Sequence, residues 1–120
     1  MLNEIKGNVW DMLDENSAVC ILTNNTILYH KFEPFYGRPY NIMGGGIATE
    51  AYDRNLGLKE TCAESILNGS ISLGYDLETG AEMLRFPTKD QVYENSSIDV
   101  IKNSLVKLVK YAKDNPNRKI

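Results

Sequence analysis

The chain has little of most things that would give a function away. It carries two cysteines, Cys20 and Cys62, and a single histidine, His30. Neither cysteine stands at a ligand-like spacing from His30, so no metal site is implied. The cysteines fall in an expected strand and an expected helix, which reads as reduced core thiols in a cytoplasmic protein. Charge of one sign is also lacking. The net charge of −3 gives no global field toward nucleic acid or an acidic membrane. No apolar run approaches the length of a membrane span, which excludes that class of partner. Met1-Leu2-Asn3-Glu4 lacks the charged start of a secretory signal. There is no repeat, low-complexity segment or linker. The 120 residues are expected to form one domain, 1–120, large enough to bury a core.

What is present is glycine in one place. Asn41-Ile42-Met43-Gly44-Gly45-Gly46-Ile47-Ala48 runs three glycines into an expected helix. Glycine tolerates positive φ and lets a backbone approach a ligand closely. A helix N-terminus adds unpaired N–H groups and a partial positive charge. Together they suit a phosphate or pyrophosphate. No Gly-Lys-Ser/Thr follows Gly46, so this is not a Walker loop. The long loop before it also differs from the tight turn of the dinucleotide fingerprint. As pure structure it is an irregular turn before a helix.

The elements around it follow from periodicity. Residues 2–6 read as a short strand, and Gly7-Asn8-Val9-Trp10-Asp11 as a turn into a helical segment. Ala18-Val19-Cys20-Ile21-Leu22 is a continuous apolar run, as in a strand covered on both faces. Residues 25–43 read as an inserted loop or hairpin containing Tyr29, Phe32, Phe35, Tyr36 and Tyr40. Those aromatics are either a flap over a ligand or a satellite core that tethers the loop. Helices are expected over 46–55 and 58–67, and strands over 70–76 and 81–86 with a Glu78-Thr79-Gly80 turn between them. Ser96-Ser97-Ile98-Asp99 opens a last helix with a box-like N-cap, and its Ile98, Ile101, Leu105, Leu108 and Ala112 form one stripe. The order argues α/β, with a mixed sheet and helices on both faces.

Read in order, Ile5-Lys6-Gly7-Asn8, Thr23-Asn24, Met43-Gly44-Gly45-Gly46-Ile47-Ala48 and Leu84-Arg85-Phe86-Pro87-Thr88-Lys89 resemble the macro domain family of ADP-ribose readers and erasers. The likeness is greatest to the branch of DNA ADP-ribosyl glycohydrolase antitoxins and terminal ADP-ribose glycohydrolases. It implies a macro-domain-like three-layer α/β/α fold and, as partner, ADP-ribose or an ADP-ribosylated DNA or protein, with no cofactor. It places Asn8 where the family has the aspartate that bonds the adenine amino group, with Asp11 as an alternative. Asn24 matches the asparagine facing the distal ribose; its bland alternative is an Asx-turn at a strand end. Met43, Gly44, Gly45, Gly46 and Ile47 match the loop around the distal ribose and diphosphate.

Lys89 matches the glycohydrolase lysine beside the anomeric carbon. The implied chemistry is attack by a neutral amine and a transient lysyl-ADP-ribose adduct, which requires a depressed lysine pKa from burial or a neighbouring cation. The alternatives are a surface lysine, and a module that binds ADP-ribose or a related nucleotide metabolite without turnover. The family continues past the last helix into another strand and a second glycine-rich loop bearing a carboxylate. Relative to it the sequence is C-terminally incomplete, as a fragment or as a short form expected to self-associate into a homo-oligomer, with a form without ligand as the remaining alternative.

Overall fold

The computed structural model describes residues 8–120. The expected strand over 2–6 and the residues Ile5, Lys6 and Gly7 lie outside the described residues. Val9–Met12 forms one 3-10 turn, capped by Asn8, whose Oδ1 accepts from Trp10 N–H at 3.0 Å. The strands are β1 (Ala18–Thr23), β2 (Leu28–Tyr29), β3 (Pro39–Tyr40), β4 (Ser72–Tyr75) and β5 (Glu82–Pro87). The helices are α1 (Gly46–Arg54), α2 (Leu58–Asn68) and α3 (Ile98–Asp114).

The main sheet is mixed, in the order β1-β5-β4. β1 and β5 run parallel in the register Ala18 with Glu82 through Thr23 with Pro87. β4 is antiparallel to β5, with a register shift between Ser72 and Gly74. β2 and β3 form a separate small antiparallel pair.

Side chains alternate across the sheet, so the parity of each strand tells which layer covers it. Val19, Ile21 and Met83 point to one face, where they pack with Ala48 and Ala51 of α1 and Leu58 and Cys62 of α2. Ala18, Leu84 and Glu82 point to the other, toward α3. There Tyr111 O–H donates to Glu82 Oε1, and Ser104 Oγ donates to the Pro87 carbonyl at 2.6 Å. The chain is therefore α/β with a mixed sheet and helices on both of its faces, as its element order implies.

One element selects between the expected alternatives, and another differs from the sequence reading. The insertion over 25–43 is a hairpin, and its strand β3 lies against α2. In α3 the only buried residue is Ser104, whereas Ile98 and Leu105 of the expected core stripe are exposed. The cause is the narrow sheet beneath: α3 lies along β5, and the stripe runs off the strands that could cover it. Beyond α3, Lys119 forms a parallel bridge with Ser17 on the edge of β1 opposite β5, its carbonyl accepting from Ala18 N–H at 2.6 Å.

Candidate functional site

Parallel β1 and β5 end on the same side of the sheet, and α1 begins there. In open α/β sheets ligands sit outside the carboxyl ends of the strands. A cleft of about 440 Å³ lies at this place, lined by Thr23 at the end of β1 and Asn24 after it, Asn41 to Gly45 before α1, and Thr88 and Lys89 after β5. The structure thus brings together Asn24, Met43, Gly44, Gly45 and Lys89 from segments up to sixty-five residues apart in the chain. Leu22, Ile42 and Val92 supply an apolar wall, each roughly half exposed.

Three loops are sewn together to make this shape. Thr88 N–H donates to the Thr23 carbonyl at 3.0 Å, and Asn25 N–H to the Asp90 carbonyl at 2.6 Å. Thr26 Oγ1 accepts from Val92 N–H at 2.8 Å and donates to Gln91 Oε1 at 3.1 Å. The third loop is attached by Asn41, a fully buried amide. Its Nδ2 donates to Asn24 Oδ1 and to the Thr26 carbonyl, both at 2.9 Å. Its Oδ1 accepts from Met43 N–H at 3.0 Å. Asn41 is the functional residue that sequence reasoning passed over. Its signal was an asparagine at the head of the glycine stretch, inside the expected insertion, which composition cannot tell from any turn residue.

The glycine loop enters α1 through Gly45, which caps the helix without a side chain. The N–H groups of Gly46, Ile47 and Ala48 have no acceptor among the described residues. Met43 at φ 49° and Gly46 at φ 54° both take the left-handed region. For Gly46 that is the conformation its residue type permits. Met43 is held there by Asn41 and by Thr49, whose Oγ1 donates to the Met43 carbonyl at 3.0 Å. A Cβ at Gly44 would come within 2.9 Å of Ile42 Cγ2, whereas one at Gly45 would meet nothing within 4 Å.

The individual residues divide as follows. Asn24 Oδ1 accepts from Thr26 N–H at 2.9 Å as well as from Asn41, so the Asx-turn is real. Its carbonyl is thereby occupied, and Nδ2 is the group it has left to offer. Met43 lines the cleft yet is buried in the core, so it supports the loop more than it faces a ligand. Gly46 and Ile47 stand just outside the cleft lining, and Ile47 packs against the core. Asn8 is also outside it, and its carbonyl is spent on capping Trp10. Asp11 is exposed and likewise outside the lining. The aromatics of the insertion do not cover this cleft: of residues 25–43, Asn41, Ile42 and Met43 alone line it.

Arg85 is turned away from Lys89's cleft. Its guanidinium donates to Ser65 Oγ at 2.8 Å, the Ser70 carbonyl at 3.0 Å and Asn25 Oδ1 at 3.1 Å. Burial lowers its pKa from the ordinary arginine value. The same burial pushes the Cys62 thiol up to about 11, partly offset by Arg85, which makes Cys62 an inert core thiol. Among the described residues no group of three His, Cys, Asp or Glu side chains could hold a metal ion. Nor is any helix among them long and apolar enough to cross a membrane.

One polar atom is left over. Thr23 Oγ1 is buried with no hydrogen-bond partner among the described residues, and Thr23 lines the cleft. A buried hydroxyl without a partner costs about 1–3 kcal/mol. No protein-family model, curated protein or solved structure matches this chain.

Proposed function

We propose that the cleft binds ADP-ribose, in the manner the macro-domain resemblance implies, with the free N–H groups at the start of α1 directed to the diphosphate. The observation that carries this reading is the convergence of Asn24, Gly44, Gly45 and Lys89 on one cleft at the carboxyl ends of β1 and β5. Its volume of about 440 Å³ falls in the ~300–1,000 Å³ range of small-molecule sites. Unpaired backbone donors and a glycine without steric cover suit a phosphate. Thr23 Oγ1 and Asn24 Nδ2 are the unspent polar atoms that would meet ribose hydroxyls. The adenine end is the less specified part, because Asn8 lies outside the lining.

The same cleft supports a catalytic reading through Lys89. Its neutral Nζ would bond to the anomeric carbon of the distal ribose as the bond to the linked carboxylate or nucleobase breaks. The departing group takes a proton, and water then releases ADP-ribose from the lysine. Arg85 takes no part, since its guanidinium is consumed elsewhere. Plain binding needs only the glycine loop, Asn24 and Thr23.

Calorimetry with ADP-ribose tests both readings. Heat of binding that disappears in Gly45→Val supports the cleft; no heat and no thermal shift at about 1 mM ligand sinks both. Release of ADP-ribose from ADP-ribosylated DNA or protein, abolished in Lys89→Ala while ADP-ribose binding persists, selects catalysis. Binding without release in the native protein selects the module.

A further inference from the structure

A second recess, larger than the cleft at the glycine loop, lies elsewhere among the described residues. It measures about 690 Å³ and lies between the β2–β3 hairpin and the beginning of α2. Tyr40 is on its wall, while the next residues, Asn41 and Ile42, face the other cleft. One strand of chain thus separates two depressions.

The recess has three kinds of chemistry. Its wall is aromatic: His30 stacks on Tyr40 with centroids 4.2 Å apart and tilts against Phe35 at 5.6 Å. His30 Nε2 lies 3.0 Å from Glu60 Oε1, which fixes the ring and occupies that carboxylate. Its rim is cationic. The Arg38 guanidinium lies 5.6 Å from the Phe35 centroid, and Lys59 Nζ lies 4.2 Å from that of Tyr52. Neither cation has a carboxylate within ion-pair distance among the described residues. Finally, Glu64, one turn along α2 from Glu60, brings a carboxylate with no partner among the described residues.

Each feature excludes ligands that the others allow. A simple inorganic anion would use Arg38 and Lys59 but leave the rings idle and be repelled by Glu64. An aliphatic amine would suit Glu64 but meet two cations at the rim. A planar ring that carries both an anionic group and an amino donor uses all three. We propose that this recess is a second site, which binds a nucleotide unit: phosphate on Arg38 and Lys59, base against the His30–Phe35–Tyr40 wall, and an exocyclic amine donating to Glu64. Base stacking on aromatic rings and phosphate pairing with cations are both sequence-tolerant, so the carboxylate supplies the selectivity. The source is a free mononucleotide or one unit of a single strand. The site does not depend on the ADP-ribose reading of the other cleft.

The test is a site-resolved NMR titration of the whole protein with CMP, AMP, UMP, inorganic phosphate and a short single-stranded oligonucleotide. CMP and AMP should shift the His30, Phe35 and Tyr40 ring signals, and CMP, which is no part of ADP-ribose, should do so while the Gly44 and Gly45 amides stay still. UMP, without an amine, should bind severalfold more weakly, and Glu64→Gln should remove that preference. Phosphate alone should leave the rings unmoved. Arg38→Ala with Lys59→Ala should weaken CMP roughly tenfold or more, since each charged hydrogen bond contributes on that scale. An oligonucleotide tenfold tighter than CMP assigns the single strand; equal affinity assigns the free nucleotide. Unmoved rings with every ligand at about 10 mM, or shifts indifferent to the double substitution in a folded variant, overturn the proposal.

Discussion

Asn41 is the sharpest place to perturb this protein, because one buried amide joins the glycine loop to the loop after β1. In Asn41→Ala, the Met43 N–H and the Thr26 carbonyl lose their partners at 3.0 and 2.9 Å. Asn24 Oδ1 keeps its bond from Thr26 N–H, so it is not orphaned. The buried Met43 N–H without a partner costs about 1–3 kcal/mol, and the half-buried Thr26 carbonyl costs up to that again. Release of Met43 from its left-handed φ of 49° returns part of that. The expected loss is about 2–4 kcal/mol, or roughly 10 °C in Tm for a domain of this size. Asn41→Asp separates geometry from polarity. It keeps the acceptor for Met43 N–H but turns a carboxylate oxygen toward Asn24 Oδ1 and the Thr26 carbonyl, so at neutral pH it should be worse than alanine. Urea denaturation of the three proteins provides the free energies. A loss below about 1 kcal/mol in Asn41→Ala, or an aspartate variant more stable than the alanine one, refutes the argument that Asn41 holds the loops.

Gly45→Ala should leave stability within about 1 kcal/mol, because its φ of −152° suits any residue and its Cβ would meet nothing within 4 Å. The methyl group would stand in the cleft, so calorimetry should show weaker ADP-ribose binding from an equally stable protein. Arg54→Met should cost about 3–5 kcal/mol in denaturant, since it strands the fully buried Asp76 carboxylate, which Arg54 holds at 2.8 and 2.9 Å. Burial raises Asp76, but hydrogen bonds from Arg54, Thr79 and Glu78 N–H outweigh it and hold the carboxyl below its ordinary value. That lowered pKa gives stability present above the unfolded value of ~3.9 and lost as pH falls through the folded one, so acid melts of Asp76→Asn should be flatter below about pH 4. Burial and the bond to Glu82 push Tyr111 up to about 12, a contribution present below the unfolded value of ~10 and lost as pH rises toward the folded one. Tyr111→Phe should therefore flatten the alkaline limb of a stability–pH profile.

The parts of the fold legible in the sequence are those where local pattern and burial agree. β1 is a five-residue apolar run, and the structure extends it by Thr23 alone. Asn55 and Gly69 end α1 and α2 as their residue types predict, Gly69 at φ 78°. The last helix begins at Ile98 behind its Ser97 cap. Its apolar stripe misled because periodicity counts which residues share a face, not how wide a surface lies under it. A helix along β5 has sheet beneath Ser104 and Tyr111, and less beneath Leu105, Val106 and Val109. The aromatic insertion was ambiguous for a related reason. Whether Tyr40 covers a ligand or meets α2 depends on where β3 lands, and that depends on Asn41 N–H reaching the Lys59 carbonyl at 2.9 Å.

The cleft was legible as three motifs and illegible as an arrangement. Asn24, Gly45 and Lys89 become neighbours only because β1 and β5 are paired in parallel with Thr23 beside Pro87. A one-residue slip would carry Thr88 past the Thr23 carbonyl and turn every β5 side chain to the opposite face. The register is therefore set by burial: Met83 must share a face with Val19 and Ile21, while Glu82 must reach Tyr111 on the other. Core packing on one face and a polar cluster on the other fix the same register independently. That agreement sets Thr88 against the Thr23 carbonyl at the end of β5, and so puts Lys89, rather than Asp90, in the cleft.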